Sequence, residues 1–185
     1  MLSTVFTDNG STYTSNAALK GGVFLLDKST ATLSSITVST SYALNGAVFT
    51  VNDVSPLTVT SSTFTGNTAT TNAGIAHFTM PTVPSTTTTY SITFTSCTFT
   101  TNSAGLKGGA FYVDSSQVSA LTLSSVTMSG TTAGGSGGVF YIADILGTVT
   151  INSASTIQSF SAVTLGSLLY SADTDFALTL KDSTF

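Results

Sequence analysis

Short alternations of apolar and polar residues recur down this chain, and the same phrases return at a nearly fixed interval. Leu121-Thr-Leu-Ser-Ser-Val-Thr-Met128 repeats the pattern of Leu57-Thr-Val-Thr-Ser-Ser-Thr-Phe64, and Gly108-Gly-Ala-Phe-Tyr112 matches Gly137-Gly-Val-Phe-Tyr141 and Gly21-Gly-Val-Phe24. Anchors on the first phrase fall at Phe6, Thr37, Phe64, Phe99, Thr127, Thr156 and Phe185, which are 31, 27, 35, 28, 29 and 29 residues apart. The last glycine before each apolar run, Gly22, Gly46, Gly74, Gly109, Gly138 and Gly166, steps by 24, 28, 35, 29 and 28. Phrases that march together are the signature of a solenoid, so residues 1–185 read as one repeat array with starts near 6, 37, 64, 99, 127 and 156.

Within one copy, Leu121–Leu123 alternates as a strand, Ser124-Ser125 turns a corner, and Val126–Met128 forms a second strand. A polar bend follows, and Val139–Ile142 makes the third. Strands this short bury little by themselves, but each aligns with its counterpart one period on. Parallel stacking at about 4.8 Å per coil satisfies their backbones. The predicted fold is all-β, a right-handed parallel β-helix of about six coils with roughly 29 residues in each. Two inner columns follow: Phe6, Val38, Phe64, Phe99, Met128, Ile157 and Phe185; and Val23, Ala47, Ile75, Ala110, Val139 and Ser167. The six anchor glycines are expected to serve a positive φ or a tight bend. The longest step matches an excess at Thr79–Thr89, where Pro81 and Pro84 cannot donate to a ladder, and predicts an outward loop over 79–90. That loop is either bare or a small mucin-like patch with Thr86, Thr87, Thr88 and Thr89 as acceptors of O-linked sugar.

Composition narrows the function. Charged residues are 6% of the chain, four Lys against eight Asp, with no Arg, Glu or Trp and a net charge of -4. This excludes a basic footprint, so no nucleic-acid partner is expected. Ser, Thr or Gly interrupts every apolar run, which predicts no membrane-spanning segment. A charge-poor, Ser/Thr-rich surface points to an extracellular location. Residues 1–10 lack the basic start and apolar middle of a signal peptide, so the chain reads as a mature or excised piece. Lone Cys97 is expected as a small buried stack residue before an intermolecular bridge or a reactive thiol, and Asn9-Gly10-Ser11 is a possible N-glycosylation sequon at Asn9.

No residue set is assigned as catalytic, cofactor-binding or metal-ligating. Asp27, Asp114, Asp144 and Asp173 each follow an anchor glycine at a strand end, where an Asx-turn is the expectation; Asp173 with Asp175 reads as a solvated turn before an acid and base pair. His77 stands alone at the position of Tyr112 and Tyr141, and Lys20 and Lys107 are expected as solvated corners. Tyr112, Tyr141 and Tyr170 align, either as an inward or mixed stack or as an exposed aromatic strip for glycans. Asn9, Asn67 and Asn102 each stand three residues after a Phe and are expected to bond in a bend, copy to copy.

Phe-x-x-Asn followed by Gly-Gly-Ala-hydrophobic resembles the paired repeat of chlamydial polymorphic outer-membrane proteins. The three Phe-x-x-Asn copies and Gly108–Phe111 carry the resemblance; Thr37–Thr40, Thr127–Gly130 and Thr156–Ser159 depart from it. What it implies is an adhesin-like, surface-exposed β-helix without enzymatic activity. The leading expectation is thus a structural or adhesive extracellular solenoid. A pectate-lyase-like carbohydrate-active enzyme and a passive glycan-binding module are the alternatives. Leu2-Ser-Thr-Val-Phe6 and Lys181-Asp-Ser-Thr-Phe185 share a phase and no cap is legible, so the partner expected is self, coils joining end to end into a fibre, with surface glycans as a second class.

Overall fold

A computed structural model describes residues 4–79 and 88–185. The predicted outward loop therefore lies outside the described residues over 80–87, with Thr86 and Thr87; Thr88 and Thr89 are exposed. The chain is all-β, a parallel solenoid of about six turns in which each turn passes through four sheets. The first sheet has seven strands: Thr4–Asn9, Ser29–Ser34, Leu57–Thr60, Tyr90–Thr95, Val118–Ser124, Thr148–Asn152 and Ala177–Leu180. The second has Thr12–Thr14, Thr37–Ser39, Thr63–Thr65, Thr98–Thr100, Thr127–Ser129 and Thr156–Gln158. The third runs through Ala17–Lys20, Tyr42–Asn45, Thr68–Asn72, Ser103–Ala104, Thr132–Ala133 and Ser161–Ala162. The fourth holds Phe24–Asp27, Phe49–Asn52, Ala76–Thr79, Phe111–Ser115, Phe140–Ile145 and Leu169–Ser171. The expected polar bend is thus a sheet of its own, built on an alanine column, Ala18, Ala43, Ala69, Ala104, Ala133 and Ala162.

Left-handed backbone turns the corners. Ser35, Ser61, Ser96 and Ser125 have φ of 55, 49, 54 and 53° between the first and second sheets. Ser15, Thr40, Gly66, Thr101, Gly130 and Ser159 repeat the device before the third. A residue with positive φ points its strand away from the previous one, and Ser or Thr tolerates this at a cost that glycine avoids.

Registry corrects the sequence reading in the first turn. Phe6 pairs with Ala31 in the first sheet, and it is Tyr13 that pairs with Val38 beneath Phe64. The first coil is therefore 25 residues long, from Tyr13 to Val38, rather than 31. The column above it is Tyr13, Val38, Phe64, Phe99, Met128 and Ile157, as expected from Val38 onward. In the other inner column, Ala47 and Ser167 give way to Val48 and Leu168, whose carbonyls accept from Val23 and Val139. The inward place assigned to Ser167 is therefore held by the apolar Leu168.

The anchor glycines divide into two columns. Gly46 and Gly166, each with φ of 60°, belong with Gly21, Ala73, Gly108 and Gly137 at the left-handed corner. Gly22, Gly74, Gly109 and Gly138 stand one position later without a positive φ; a Cβ on Gly109 would meet the carbonyl oxygens of Gly138 and Thr132. There the requirement is close approach of successive coils, so both expected reasons operate, each in its own column.

The core is apolar and rich in aromatic rings. Phe64 and Phe99 stack at 5.2 Å and 12°, and Phe111 and Phe140 at 5.4 Å and 16°, with Phe94 edge-on to Phe64 and Phe99. Each fully buried ring contributes about 1.5–3 kcal/mol.

Candidate functional site

The fourth sheet carries the densest chemistry. Its inward residues, such as Phe49, Val51, Phe111, Val113, Phe140 and Ile142, fill the core. Strict alternation turns the residues between them outward, and registry aligns Thr50, His77, Tyr112, Tyr141 and Tyr170 in one column. Tyr112 and Tyr141 stack at 5.2 Å and 14°, Tyr141 and Tyr170 lie 4.9 Å apart, and His77 meets Tyr112 edge-on at 4.8 Å.

These rings point away from the core and are nevertheless covered. Tyr112 and Tyr141 are 9% and 8% exposed, packed with Ala73 and Ala143, and Lys107 Nζ stands 4.5 Å over the Tyr141 ring. An exposed glycan strip is thus contradicted for Tyr112 and Tyr141; a stack shielded by its own corner takes its place. Lys107 is likewise a ring cover and not a solvated corner, whereas Lys20 is exposed. Burial, with Asp114 and Tyr141 nearby, pushes the Tyr112 hydroxyl up to about 12. Burial and the positive charge of Lys20 push His77 down to about 4, and its buried Nδ1 has no partner among the described residues.

Beside the rings runs an acidic row. Asp114 pairs with Asp144 across a register shift, and Asp173 lies in the next coil, its Oδ2 accepting from the Ile145 N–H at 3.0 Å. Burial, then Asp173 and Asp114, raise the Asp144 carboxyl above its ordinary value, while hydrogen bonds from Ser116 oppose the rise. The Asx-turn expected at four aspartates is formed at Asp173, whose Oδ1 accepts from the Asp175 N–H at 2.9 Å. Asp144 instead bonds to Ser116 of the coil before it. Among the described residues no three His, Cys or Asp side chains are grouped to hold a metal ion.

The asparagine row is a ladder inside the corner between the second and third sheets. Asn102 Oδ1 accepts from the Asn67 backbone N–H at 3.0 Å and from Asn67 Nδ2 at 2.9 Å, and Asn102 Nδ2 donates to the Phe64 carbonyl at 2.9 Å. Asn67 Oδ1 accepts from the Ser41 N–H. Asn9 is absent from this row: it ends the first strand opposite Ser34, exposed, and Asn16 occupies the equivalent place three residues after Tyr13. Cys97 is buried as expected, its Sγ directed at the Val59 and Thr95 carbonyls, and burial pushes its thiol up to about 11.

What sequence reading missed is the acidic row as a contiguous feature, Asn16, and the threonine rows of the first and second sheets. A strict column alignment from Tyr13 and the alanine column would have found all three. Comparison with protein-family models, curated proteins and solved structures finds no match.

Proposed function

We propose that this solenoid is a non-enzymatic extracellular structural or adhesive element whose coil stack is continued by further coils of the same kind. One observation carries the reading: parallel registry runs from turn to turn in all four sheets, and the recurrent inward residues, Val38, Phe64, Phe99, Met128 and Ile157 among them, are fully buried in the service of that stacking. A stack in which each coil contacts only its neighbours grows by adding coils of the same kind. The first coil differs, since Asp8 stands in the column of Leu33 and accepts from Ser11 Oγ and Tyr13 Oη, both at 2.6 Å. The resemblance to adhesin repeats supports the same reading. Negative-stain imaging of the native material tests it: rods or filaments of constant width are expected, and a monodisperse particle at high concentration overturns it.

The acidic row favours a second reading, a carbohydrate-active enzyme, because Asp114, Asp144 and Asp173 lie in successive coils and Asp144, raised first by burial and then by the other two, is suited to the acid of an acid and base pair. Turnover of acidic polysaccharides that is lost in Asp144→Asn would establish it in place of the first.

A further inference from the structure

The outer face of the second sheet repeats one chemistry in every coil. Its strands are Thr-x-Thr or Thr-x-Ser in five turns and Thr-x-Gln in the sixth, with Thr12, Thr37, Thr63, Thr98, Thr127 and Thr156 in direct register. No strand of this sheet contains Asp or Lys. The other three sheets each carry a register shift, at Tyr90/Ser91, Ala69/Asn72 and Val113/Asp114, and this one carries none. Its hydroxyls form a mesh of about 4.8 Å between coils and about 6.6 Å along each strand.

Two further facts make the mesh a prepared surface. The hydroxyls of Thr63, Thr65, Thr98, Thr100 and Thr127 make no hydrogen bond with any described residue; only the pair Thr14 and Ser39 approach each other, at 3.3 Å. Beneath them Val38, Phe64, Phe99, Met128 and Ile157 are fully buried, which pins five of the six strands, and threonine is stiff at χ1. The ordering cost of binding is therefore largely met by folding.

A face that repeats with every coil recognises a ligand that repeats at the same step. It has no ring to stack on a sugar and no charge to hold an ion. What it offers is a lattice of hydroxyls and methyls side by side, and the oxygen rows of hexagonal ice lie on nearly the same mesh. We propose that the outer face of the second sheet binds ice. The first sheet carries a threonine row as well, Thr7, Thr32, Thr58, Thr93, Thr122, Thr150 and Thr179 in direct register, but two positions on Asn9 and Asn152 interrupt the hydroxyls of Ser34, Thr60, Thr95 and Ser124, whereas five of the six strands of the second sheet carry Thr or Ser there.

The test is growth of single ice crystals and recrystallisation of polycrystalline ice with the purified chain, its Thr98→Tyr variant and, as a control on the first sheet, Thr93→Tyr. Circular dichroism confirms that all three fold. Faceted crystals and arrested recrystallisation are expected for the wild type and Thr93→Tyr, with loss in Thr98→Tyr. Absence of ice shaping by the folded wild type overturns the proposal, as does equal behaviour of the two variants. Co-sedimentation with crystalline cellulose or chitin in place of ice assigns the face to a polysaccharide and overturns it too.

Discussion

Replacing Asn102 with alanine tests the corner ladder that holds the second and third sheets together. The change removes an acceptor for two donors of Asn67 and a donor to the Phe64 carbonyl, all fully buried. Each orphaned buried group costs about 1–3 kcal/mol, and partial relaxation of the corner brings the expected loss to about 3–5 kcal/mol. Asn102→Asp separates the contributions. It keeps both bonds from Asn67 and loses only the donor to Phe64, but at neutral pH it buries a carboxylate beside a carbonyl oxygen. Its folded pKa lies above the unfolded value, so its stability relative to wild type is present at low pH, where the protonated oxygen donates to Phe64, and is lost as pH rises. Urea midpoints followed by tyrosine fluorescence, at acid and neutral pH, read both variants. A loss under about 1 kcal/mol for Asn102→Ala, no more than one ordinary hydrogen bond, would refute the ladder as a stabilising unit.

His77 supplies a pH dependence of its own. Its pKa is about 4 folded against 6.5 unfolded, so the stability it contributes is present above pH 6.5 and falls by up to about 3 kcal/mol as pH drops to 4; His77→Tyr should flatten urea midpoints across that window. Ser96→Gly removes a left-handed serine at φ 54° whose hydroxyl bonds no described residue, and should raise the midpoint by up to about 1 kcal/mol, whereas Gly109→Ala drives a Cβ into two carbonyl oxygens and should lower it. Cys97, buried with its thiol pushed up to about 11, should react with a thiol reagent at pH 8 only after urea unfolds the coil; immediate labelling of the native chain would contradict its burial.

The period of the solenoid was legible because large inward residues and glycine pairs recur together, and both are forced by stacking. Registry was legible only where two columns agreed. Thr4-Val-Phe-Thr-Asp-Asn9 imitates Ser62-Thr-Phe-Thr-Gly-Asn67 locally, yet six residues pair with Ser29–Ser34 in the first sheet, and the three-residue second sheet has no room for them. The third sheet escaped notice because Thr132–Ala133 is too short to show alternation. Its alanine column, spaced 25, 26, 35, 29 and 29 residues, held the correct step throughout. The tyrosine column could be aligned from sequence, but its burial depends on the Lys107 corner folding over it, a tertiary contact with no periodic trace.

Internal comparison of the four sheets separates what stacking requires from what it leaves free. The backbone ladders, inner columns and corner residues satisfy the fold, so outward positions need only favour a strand. The fourth sheet shows how loose that demand is, with Leu25, Thr50, His77, Tyr112, Tyr141 and Tyr170 in one outward column. The third sheet is equally mixed, with Ala17, Tyr42, Thr68, Ser103, Thr132 and Ser161. Strand propensity alone would let Val, Ile and Tyr into the outward column of the second sheet as readily as Thr. All six of its strands carry Thr there, and five carry Thr or Ser two positions later. The first sheet matches it in one column, Thr7, Thr32, Thr58, Thr93, Thr122, Thr150 and Thr179, and differs two positions later, where Asn9 and Asn152 interrupt the hydroxyls; the paired rows of the second sheet fall where registry is unbroken and a regular array can be kept along the stack.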